Sequence, residues 1–212
     1  MELILYTADC TGKAANCLYP HEKKITNQKE LVEAIAHDQV FAKYKDSYRS
    51  IENFISSSVI PLDCDNDHTE KPEEWLTADK LTEIFEDMQF VLIPSRNHMK
   101  EKNGKAARPK YHVLFPVADY TDPTLYAAVK SAIQKKYAFF DDNAVDAARF
   151  FFGSKCTEDD VVWHDGFLQI DEDLDETDML VQEEAAMPIY MGGSIAEGSR
   201  NNTMSHFAGR VL

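Results

Sequence analysis

The sequence predicts an α+β protein whose central sheet is largely antiparallel. Apolar runs of strand length and segments with helical periodicity follow one another without strict alternation. The strongest hairpin signal is the turn pair Asp165-Gly166, which separates two apolar runs within residues 161–170. With 212 residues, 44% of them hydrophobic, the chain can bury a sizeable core in one domain.

The first part of the chain is predicted to contain one strand and two helical segments. Glu2 to Tyr6 is an apolar run of strand length. Asn27 is a good N-cap residue, and Glu30 three positions later completes a capping box, so a helix is expected to begin there. Residues 46–57 carry aromatic and aliphatic side chains at helical spacing, which indicates a second helix.

The middle of the chain is predicted to contain three strands and two helices. Residues 59–65 and 90–94 are apolar runs of strand length, and residues 111–116 form a third. Thr77 is placed to cap a helix. Asp122 precedes a proline at the first helical position and should open another helix.

Two carboxylates, Asp63 and Asp65, lie at the end of the first of these strands. Side chains alternate along a strand, so both should lie on one face, roughly 6.5–7 Å apart at their Cα atoms, while Cys64 points into the core. Like charges at this spacing repel unless they are neutralised, and a divalent cation with oxygen ligands is the usual partner. A solvated turn after a strand has the same pattern, so the interpretation needs further residues.

A histidine strand and a basic segment supply such residues. His112 lies in the strand at 111–116 and shares a face with Lys110. The preceding segment, residues 94–110, has the composition of a solvated loop or of a cationic cradle for phosphates. It carries one glutamate and six basic residues, which are Arg96, Lys100, Lys102, Lys105, Arg108 and Lys110.

A third block, residues 140–153, adds another carboxylate and another cation. Asp146 is followed three positions later by Arg149. Asp141 and Asp142 are close enough in sequence to take the place of Asp146.

In this order, the three blocks resemble the archaeo-eukaryotic primase superfamily, and most closely the primase-polymerases encoded by phages, plasmids and integrated elements. Residues 60–65 match the first motif of that family, three hydrophobic positions followed by D-x-D. His112 matches the histidine of the second motif, although Lys110 stands where the family has a small hydroxyl-bearing residue. Asp146 is placed as the third motif, and residues 95–98 and 197–203 also look like this subgroup.

The resemblance implies a template-dependent nucleotidyltransferase with an RRM-like catalytic sheet, an N-terminal α/β half and a C-terminal helical appendage. It implies that Asp63, Asp65 and Asp146 bind two Mg²⁺ or Mn²⁺ ions, with His112 beside the phosphates of the incoming nucleotide. The expected partners are a single-stranded DNA template, a primer, nucleoside triphosphates and a helicase. Candidate contacts to nucleotide or DNA are Arg96, Lys110 and Arg149, together with the loop residues Lys100, Lys102, Lys105 and Arg108.

The net charge of −15 is unusual for a protein that binds DNA, whose surface is normally basic. Residues 156–199 contain 13 Asp and Glu and no Lys or Arg. Without this segment, 24 acidic residues face 22 basic ones. The acidity is therefore concentrated in one segment, which is either a solubilising linker or a strip that repels DNA.

The composition also predicts the organisation and location of the chain. Residues 1–173 are the expected catalytic domain, residues 174–198 an acidic linker, and residues 199–212 the start of a helical region that continues in a longer protein. No apolar run approaches the roughly 18–20 residues of a membrane span, and the four cysteines fit reduced thiols, so a cytoplasmic protein is expected.

Three other classes of protein have similar carboxylate patterns. A phosphatase with D-x-D would use Asp63 as its nucleophile, but it would have Thr or Val where Asp67 stands. A calcium loop would have Gly in place of His68. A non-catalytic nucleic-acid-binding module on an RRM-like sheet would leave the three aspartates without a role.

Overall fold

The architecture consists of two antiparallel sheets and three α-helices in the computed structural model, which describes residues 1–101, 104–175 and 178. These described residues all belong to one compact unit, Met1–Gln182. The predicted α+β class and the antiparallel pairing are confirmed. The elements are β1 (Leu3–Thr7), β2 (His21–Ile25), α1 (Gln28–Ile35), β3 (Gln39–Val40), β4 (Lys43–Tyr44), β5 (Phe54–Cys64), α2 (Ala78–Ile84), β6 (Gln89–Pro94), β7 (Tyr111–Tyr120), α3 (Pro123–Lys136) and β8 (Val162–Asp165).

The larger sheet has the strand order β4-β5-β7-β6-β8, and the smaller one has the order β2-β1-β3. The long strands β5 and β7 pair in a register that places Asp63 opposite His112, and β6 places Ile93 beside His112 on the other side. His112 therefore lies on the central strand, where the surrounding hydrogen bonds hold the backbone.

Each face of the larger sheet is covered by a hydrophobic cluster, as the alternation along β5 requires. Ile60, Leu62 and Cys64 are fully buried with side chains of α2 and α3. Val59 lies on the opposite face and packs in the cluster that includes Leu3 and other residues of the smaller sheet and α1. Cys64 thus points into the core as predicted, and Asp63 lies on the face toward the N-terminal part.

The predicted helix starts are confirmed by their capping hydrogen bonds. The side chain of Asn27 accepts from the backbone N–H of Glu30 at 3.0 Å, and Thr77 accepts from that of Lys80 at 3.3 Å. Asp122 accepts from the N–H of Thr124 at 2.7 Å. These contacts satisfy N–H groups that have no partner within the first turn of a helix.

The helix predicted at residues 46–57 is wrong. The segment forms two short 3₁₀ turns, Lys45–Ser47 and Ile51–Asn53, and then enters β5 at Phe54. Asp46 and Ser47 have positive φ angles of 54° and 56°, which an α-helix does not allow. Of the apolar side chains at helical spacing, Phe54 and Ile55 lie in β5, whereas Tyr48 and Ile51 precede the strand and are about half exposed.

The hairpin predicted at Asp165-Gly166 is also wrong, because β8 pairs with β6 and not with the residues that follow it. A Cβ atom on Gly166 would overlap the backbone of Met88, so glycine allows a close approach of two chain segments there. The N–H groups of Phe167 and Leu168 both donate to the carbonyl of Asp87, at 2.9 and 3.0 Å.

Part of the predicted organisation lies outside the described residues. That part includes the segment at 197–203, the predicted helical region at 199–212 and nearly all of the predicted linker at 174–198. The RRM-like character of the sheet and the domain bounds stay predictions. Among the described helices, none combines the length and the apolar character needed to cross a membrane.

Candidate active site

A cleft of about 280 Å³ opens where the end of β5 meets β7 and the segment 149–152. One part of its wall is polar and is built from Asp63, Asp65, His112, Arg149 and the residues that follow β6. The other part is aromatic. The lining residues after β6 are Ser95, Arg96 and Asn97, and the aromatic ones are Phe150, Phe151 and Phe152.

Asp63 is the centre of the polar wall, and its carboxylate is buried, with 5% of the side chain exposed. Its Oδ1 accepts a hydrogen bond from Nδ1 of His112, and its Oδ2 accepts from Nη2 of Arg149 at 2.6 Å. Burial would raise the pKa of Asp63, but the adjacent His112 and Arg149 lower it to about 2. The carboxylate is therefore ionised at neutral pH, and both of its oxygens are held in fixed directions.

His112 is fixed from two sides. The register of β5 and β7 places it opposite Asp63, and its ring packs edge-on against Phe151 with the ring centres 4.7 Å apart. Since Asp63 is ionised, the Nδ1 atom of His112 carries the proton of their hydrogen bond.

Asp65 follows the end of β5 and is more accessible than Asp63, with 35% of its side chain exposed. Its Oδ2 lies 3.0 Å from Nζ of Lys110, which also lies 3.6 Å from a carboxylate oxygen of Asp67. Lys110 and His112 thus both reach toward the carboxylates at the end of β5, as their spacing predicts. In this structure each of the two aspartates is neutralised by a cation of the chain itself.

The third carboxylate of the predicted metal site is not in this wall. Asp146 is exposed, its Oδ1 accepts from the N–H of Ala148 at 2.7 Å, and it does not line the cleft. The alternatives Asp141 and Asp142 line a second cavity of about 450 Å³ that shares Asp65 with the cleft. The backbone N–H of Asp141 also donates to the carbonyl of Asp63 at 2.8 Å.

Within the described residues, no three His, Cys, Asp or Glu side chains are grouped closely enough to hold a metal ion by themselves. The metal-ligand set of Asp63, Asp65 and Asp146 therefore stays a prediction.

Arg108 differs from the exposed phosphate contact that the basic loop suggests. Its side chain is fully buried, and Nη1 donates to the carbonyl of Asn66 at 2.9 Å. Its Nη2 donates to Glu70 at 2.6 Å, and the guanidinium lies 5.2 Å from the ring centre of Trp75. Its charge is used to fix the segment after β5, so the expectation of a DNA contact does not fit this residue.

Two lysines of the basic loop lie at the surface. Lys100 is exposed and donates to the carbonyl of Arg96 at 2.8 Å, and Lys105, about half exposed, lies 3.3 Å from Asp67. Both line a small pocket of about 130 Å³ with Lys110 and Asp65. Lys102 lies outside the described residues.

Two features in or near the cleft do not follow from the sequence reasoning above. The three phenylalanines at 150–152 belong to the block that contains Arg149, and the motif pattern gives them no role. Asp67, which does not line the cleft, pairs with Lys105 and Lys110. The signal that could have identified the phenylalanines is the alternation of side chains along residues 149–152, which places Phe150 and Phe152 on the side opposite to Phe151.

No protein-family model matches the chain, and no curated protein matches it. Among solved structures, the chain is similar to the AEP domain of the primase-polymerase (PrimPol) of cyanophage S-2L, with a TM-score of 0.42 and 13% sequence identity. The match covers 78% of this chain and 85% of that domain. The similarity is limited at these values and assigns no function to this chain.

Proposed function

We propose that this chain is a template-dependent nucleotidyltransferase, a DNA primase-polymerase that makes or extends primers from nucleoside triphosphates with Mg²⁺ or Mn²⁺. The observation that supports this best is the charge pattern in the cleft. Two carboxylates, Asp63 and Asp65, each adjoin a cation, Arg149 and Lys110 respectively, and His112 lies opposite Asp63 on the neighbouring strand. Interleaved carboxylates and cations suit a site that binds a triphosphate and metal ions together.

The donor set of the cleft fits a cation that arrives with its nucleotide. Mg²⁺ is usually held by one or two carboxylates together with substrate phosphates and water. Asp63 and Asp65 provide the two carboxylates, and each oxygen of Asp63 has a second lone pair beyond its present hydrogen bond. Bound there, the metal ions would supply Lewis acidity at the primer 3′-hydroxyl and neutralise charge on the triphosphate.

In this proposal, His112 and Arg149 keep Asp63 ionised and oriented for metal binding. Because these residues hold the pKa of Asp63 near 2, no proton has to be removed before a metal ion binds. The two contacts also fix the direction of both carboxylate oxygens. Pre-organisation of this kind reduces the reorganisation that the reaction would otherwise require.

The third carboxylate is better supplied by Asp141 or Asp142 than by Asp146. The first two share a cavity with Asp65, whereas Asp146 is turned toward its own backbone at Ala148. We expect Asp141→Asn or Asp142→Asn to abolish metal-dependent incorporation and Asp146→Asn to retain most of it. Incorporation assays at a series of Mg²⁺ concentrations measure this, and a defect in Asp146→Asn alone would return the role to Asp146.

Phosphate contacts are proposed for the basic residues that line the cleft or adjoin its carboxylates. Arg96 is exposed at the rim of the cleft, and Arg149 and Lys110 adjoin the two carboxylates. Lys100 and Lys105 are placed to contact a DNA backbone. Arg108 is omitted, because its N–H groups donate to protein acceptors in the interior.

A phosphatase that uses Asp63 as nucleophile is disfavoured by the residue two positions after Asp65. Such an enzyme would have Thr or Val there, whereas this chain has Asp67, whose carboxylate pairs with Lys105 and Lys110. A non-catalytic nucleic-acid-binding module would bind DNA but incorporate no nucleotide, so an incorporation assay separates it from the proposed enzyme.

Primer extension tests the proposal. A labelled primer annealed to a longer template is incubated with dNTPs or NTPs and with Mg²⁺ or Mn²⁺. We expect template-dependent extension by the wild-type chain and a reduction of at least about 100-fold in Asp63→Asn and Asp65→Asn, because each change removes a charged ligand from the site. Asp119→Asn is the matched control, since Asp119 is an exposed carboxylate of β7 that does not line the cleft.

Wild-type activity in Asp65→Asn would contradict the assignment of the metal site. Binding of DNA without any incorporation by the wild-type chain, with both metals and both nucleotide classes, would favour the non-catalytic module.

A further inference from the structure

The aromatic wall of the cleft is formed by a short extended segment that begins at Arg149. Phe151 is fixed in this segment by two backbone hydrogen bonds with Gln39, at 2.9 and 2.8 Å. Alternation sends Arg149 and Phe151 to one side and Phe150 and Phe152 to the other. Phe151 is 2% exposed and supports His112, whereas Phe150 and Phe152 are only half-buried. The segment therefore keeps two aromatic rings accessible beside a polar site.

Each of these two rings is held by a guanidinium group. Arg49 lies over Phe150 at 4.7 Å and is fixed by a hydrogen bond of 2.8 Å to the carbonyl of Ala148. Arg96 lies over Phe152 at 3.9 Å and is itself exposed. The two rings contact each other edge to face, with centres 5.0 Å apart and planes inclined by 78°. These contacts hold the side chains in place without a ligand.

The backbone that follows Phe152 is fixed by the fully buried carboxylate of Asp38. Its Oδ1 accepts from the N–H of Gly12 at 2.7 Å and from that of Gly153 at 2.8 Å. Gly153 directly follows Phe152, and a Cβ atom there would lie 2.5 Å from the carbonyl oxygen of Ala36. The segment that carries the two rings is therefore closely packed on its inner side, while its rings face the cleft.

From this geometry we infer that Phe150, Phe152 and Arg96 form a stacking platform for a nucleobase. Planar bases stack on aromatic rings and on guanidinium planes, and such stacking tolerates any base because every base has a π face. The platform lies in the same cleft as Asp63 and Asp65, so a nucleotide could place its phosphates at one end and its base at the other. This inference deepens the proposed function and rests on it.

The base has two sources, the incoming nucleotide and the DNA template, and binding measurements distinguish them. Phe152→Leu and Phe150→Leu keep apolar bulk but remove the π face. Four probes are titrated in the presence of Mg²⁺: dATP, inorganic tripolyphosphate, an oligo-dT strand and an abasic oligonucleotide of the same length. Phe167→Leu is the matched control, since Phe167 is 73% exposed and does not line the cleft.

We expect the two cleft variants to weaken the binding of dATP or oligo-dT by about 5- to 150-fold, which corresponds to the usual stacking contribution of 1–3 kcal/mol per base. Tripolyphosphate and the abasic strand should bind as to the wild type, because they carry no base. A defect confined to dATP assigns the platform to the incoming nucleotide, and a defect confined to oligo-dT assigns it to the template. Phe152→Tyr should restore binding, because it restores the ring.

Unchanged affinity for both base-containing probes in both leucine variants would overturn the platform while leaving the proposed function intact. An equal weakening for tripolyphosphate, or a failure of Phe152→Tyr to restore binding, would also overturn it, because the defect would then lie in the cleft as a whole. A wild-type chain that binds none of the four probes would refute the proposed function and the platform together.

Discussion

Replacing Asp63 with asparagine should destabilise the protein, whereas the same change at Asp65 should have little effect on stability. From the sequence, removing either carboxylate would relieve the repulsion within a like-charge pair. The structure reverses this expectation for Asp63, because its carboxylate is buried between His112 and Arg149. Asp65 is more exposed, and Lys110 retains Asp67 at 3.6 Å if Asp65 is neutralised.

The size of the expected loss of stability in Asp63→Asn follows from the pKa of Asp63. Folding lowers its pKa from the usual 3.8 to about 2, and each tenfold change in acidity corresponds to about 1.4 kcal/mol. The ionised carboxylate therefore stabilises the folded state by about 2 to 3 kcal/mol at neutral pH. Because the folded pKa is the lower one, this contribution is complete above about pH 4 and disappears as the pH falls toward 2. Neutralising Asp65 should cost less than about 1 kcal/mol, because Asp65 is partly exposed and Lys110 keeps Asp67 as a partner.

Urea denaturation in buffer without divalent cations measures both effects. We expect the midpoint for Asp63→Asn to fall by about 1 M, given a slope of roughly 2 kcal/mol/M, and the midpoint for Asp65→Asn to stay within about 0.5 M of the wild type. The decrease in wild-type stability between pH 4 and pH 2 should also be smaller in Asp63→Asn. The role of the buried pairing would be refuted if Asp63→Asn were as stable as the wild type, or if Asp63→Asn and Asp65→Asn lost the same amount of stability.

Three further predictions concern other basic residues, two of them buried. Burial lowers the pKa of Lys130 to about 8, so above that pH the unfolded chain binds a proton that the folded chain has lost. Between pH 7.5 and 9.5, the stability of the wild type should therefore rise by about 2 kcal/mol more than that of Lys130→Met. Urea denaturation curves of both proteins at the two pH values test this. Arg108→Met should lower stability by at least about 2 kcal/mol and leave the salt dependence of DNA binding unchanged, because the guanidinium is buried. The double variant Lys100→Gln, Lys105→Gln should keep its stability but bind single-stranded DNA with a weaker salt dependence. The slope of log affinity against log salt concentration should fall by about 0.7 for each phosphate that the protein no longer neutralises. An unchanged slope would show that these lysines do not contact the DNA.

The parts of the structure that depend on local chemistry were predictable from the sequence. The caps at Asn27, Thr77 and Asp122 involve hydrogen bonds within three residues, so the residue types alone indicate them. The alternation that buries Cys64 and turns Asp63 to the other face is also a property of one strand. The pairing of His112 with Asp63 was not predicted, because it depends on the register between β5 and β7.

The remaining features depend on contacts between distant segments. The apolar spacing at 46–57 is compatible with a helix, but the positive φ angles of Asp46 and Ser47 interrupt it, and pairing with β4 places Phe54 in β5. Arg108 occurs in a run of lysines, and only the fold brings the acceptors at Asn66 and Glu70 around it. Asp141 and Asp146 are both candidate ligands in the sequence, and the fold places Asp141 in a cavity with Asp65.

The carboxylate of Asp38 has a consequence for how the protein acquires its activity. It joins Gly12 to Gly153, and the Asp63–Arg149 pair bridges another 86 positions of the chain. Closure of such long loops is slow and comes with the cooperative completion of the fold. A nascent chain must therefore emerge beyond residue 153 before it can bind a nucleotide at this cleft. A nucleotide that binds there should in turn stabilise both ends of the described fold at once, by mass action on the folded state.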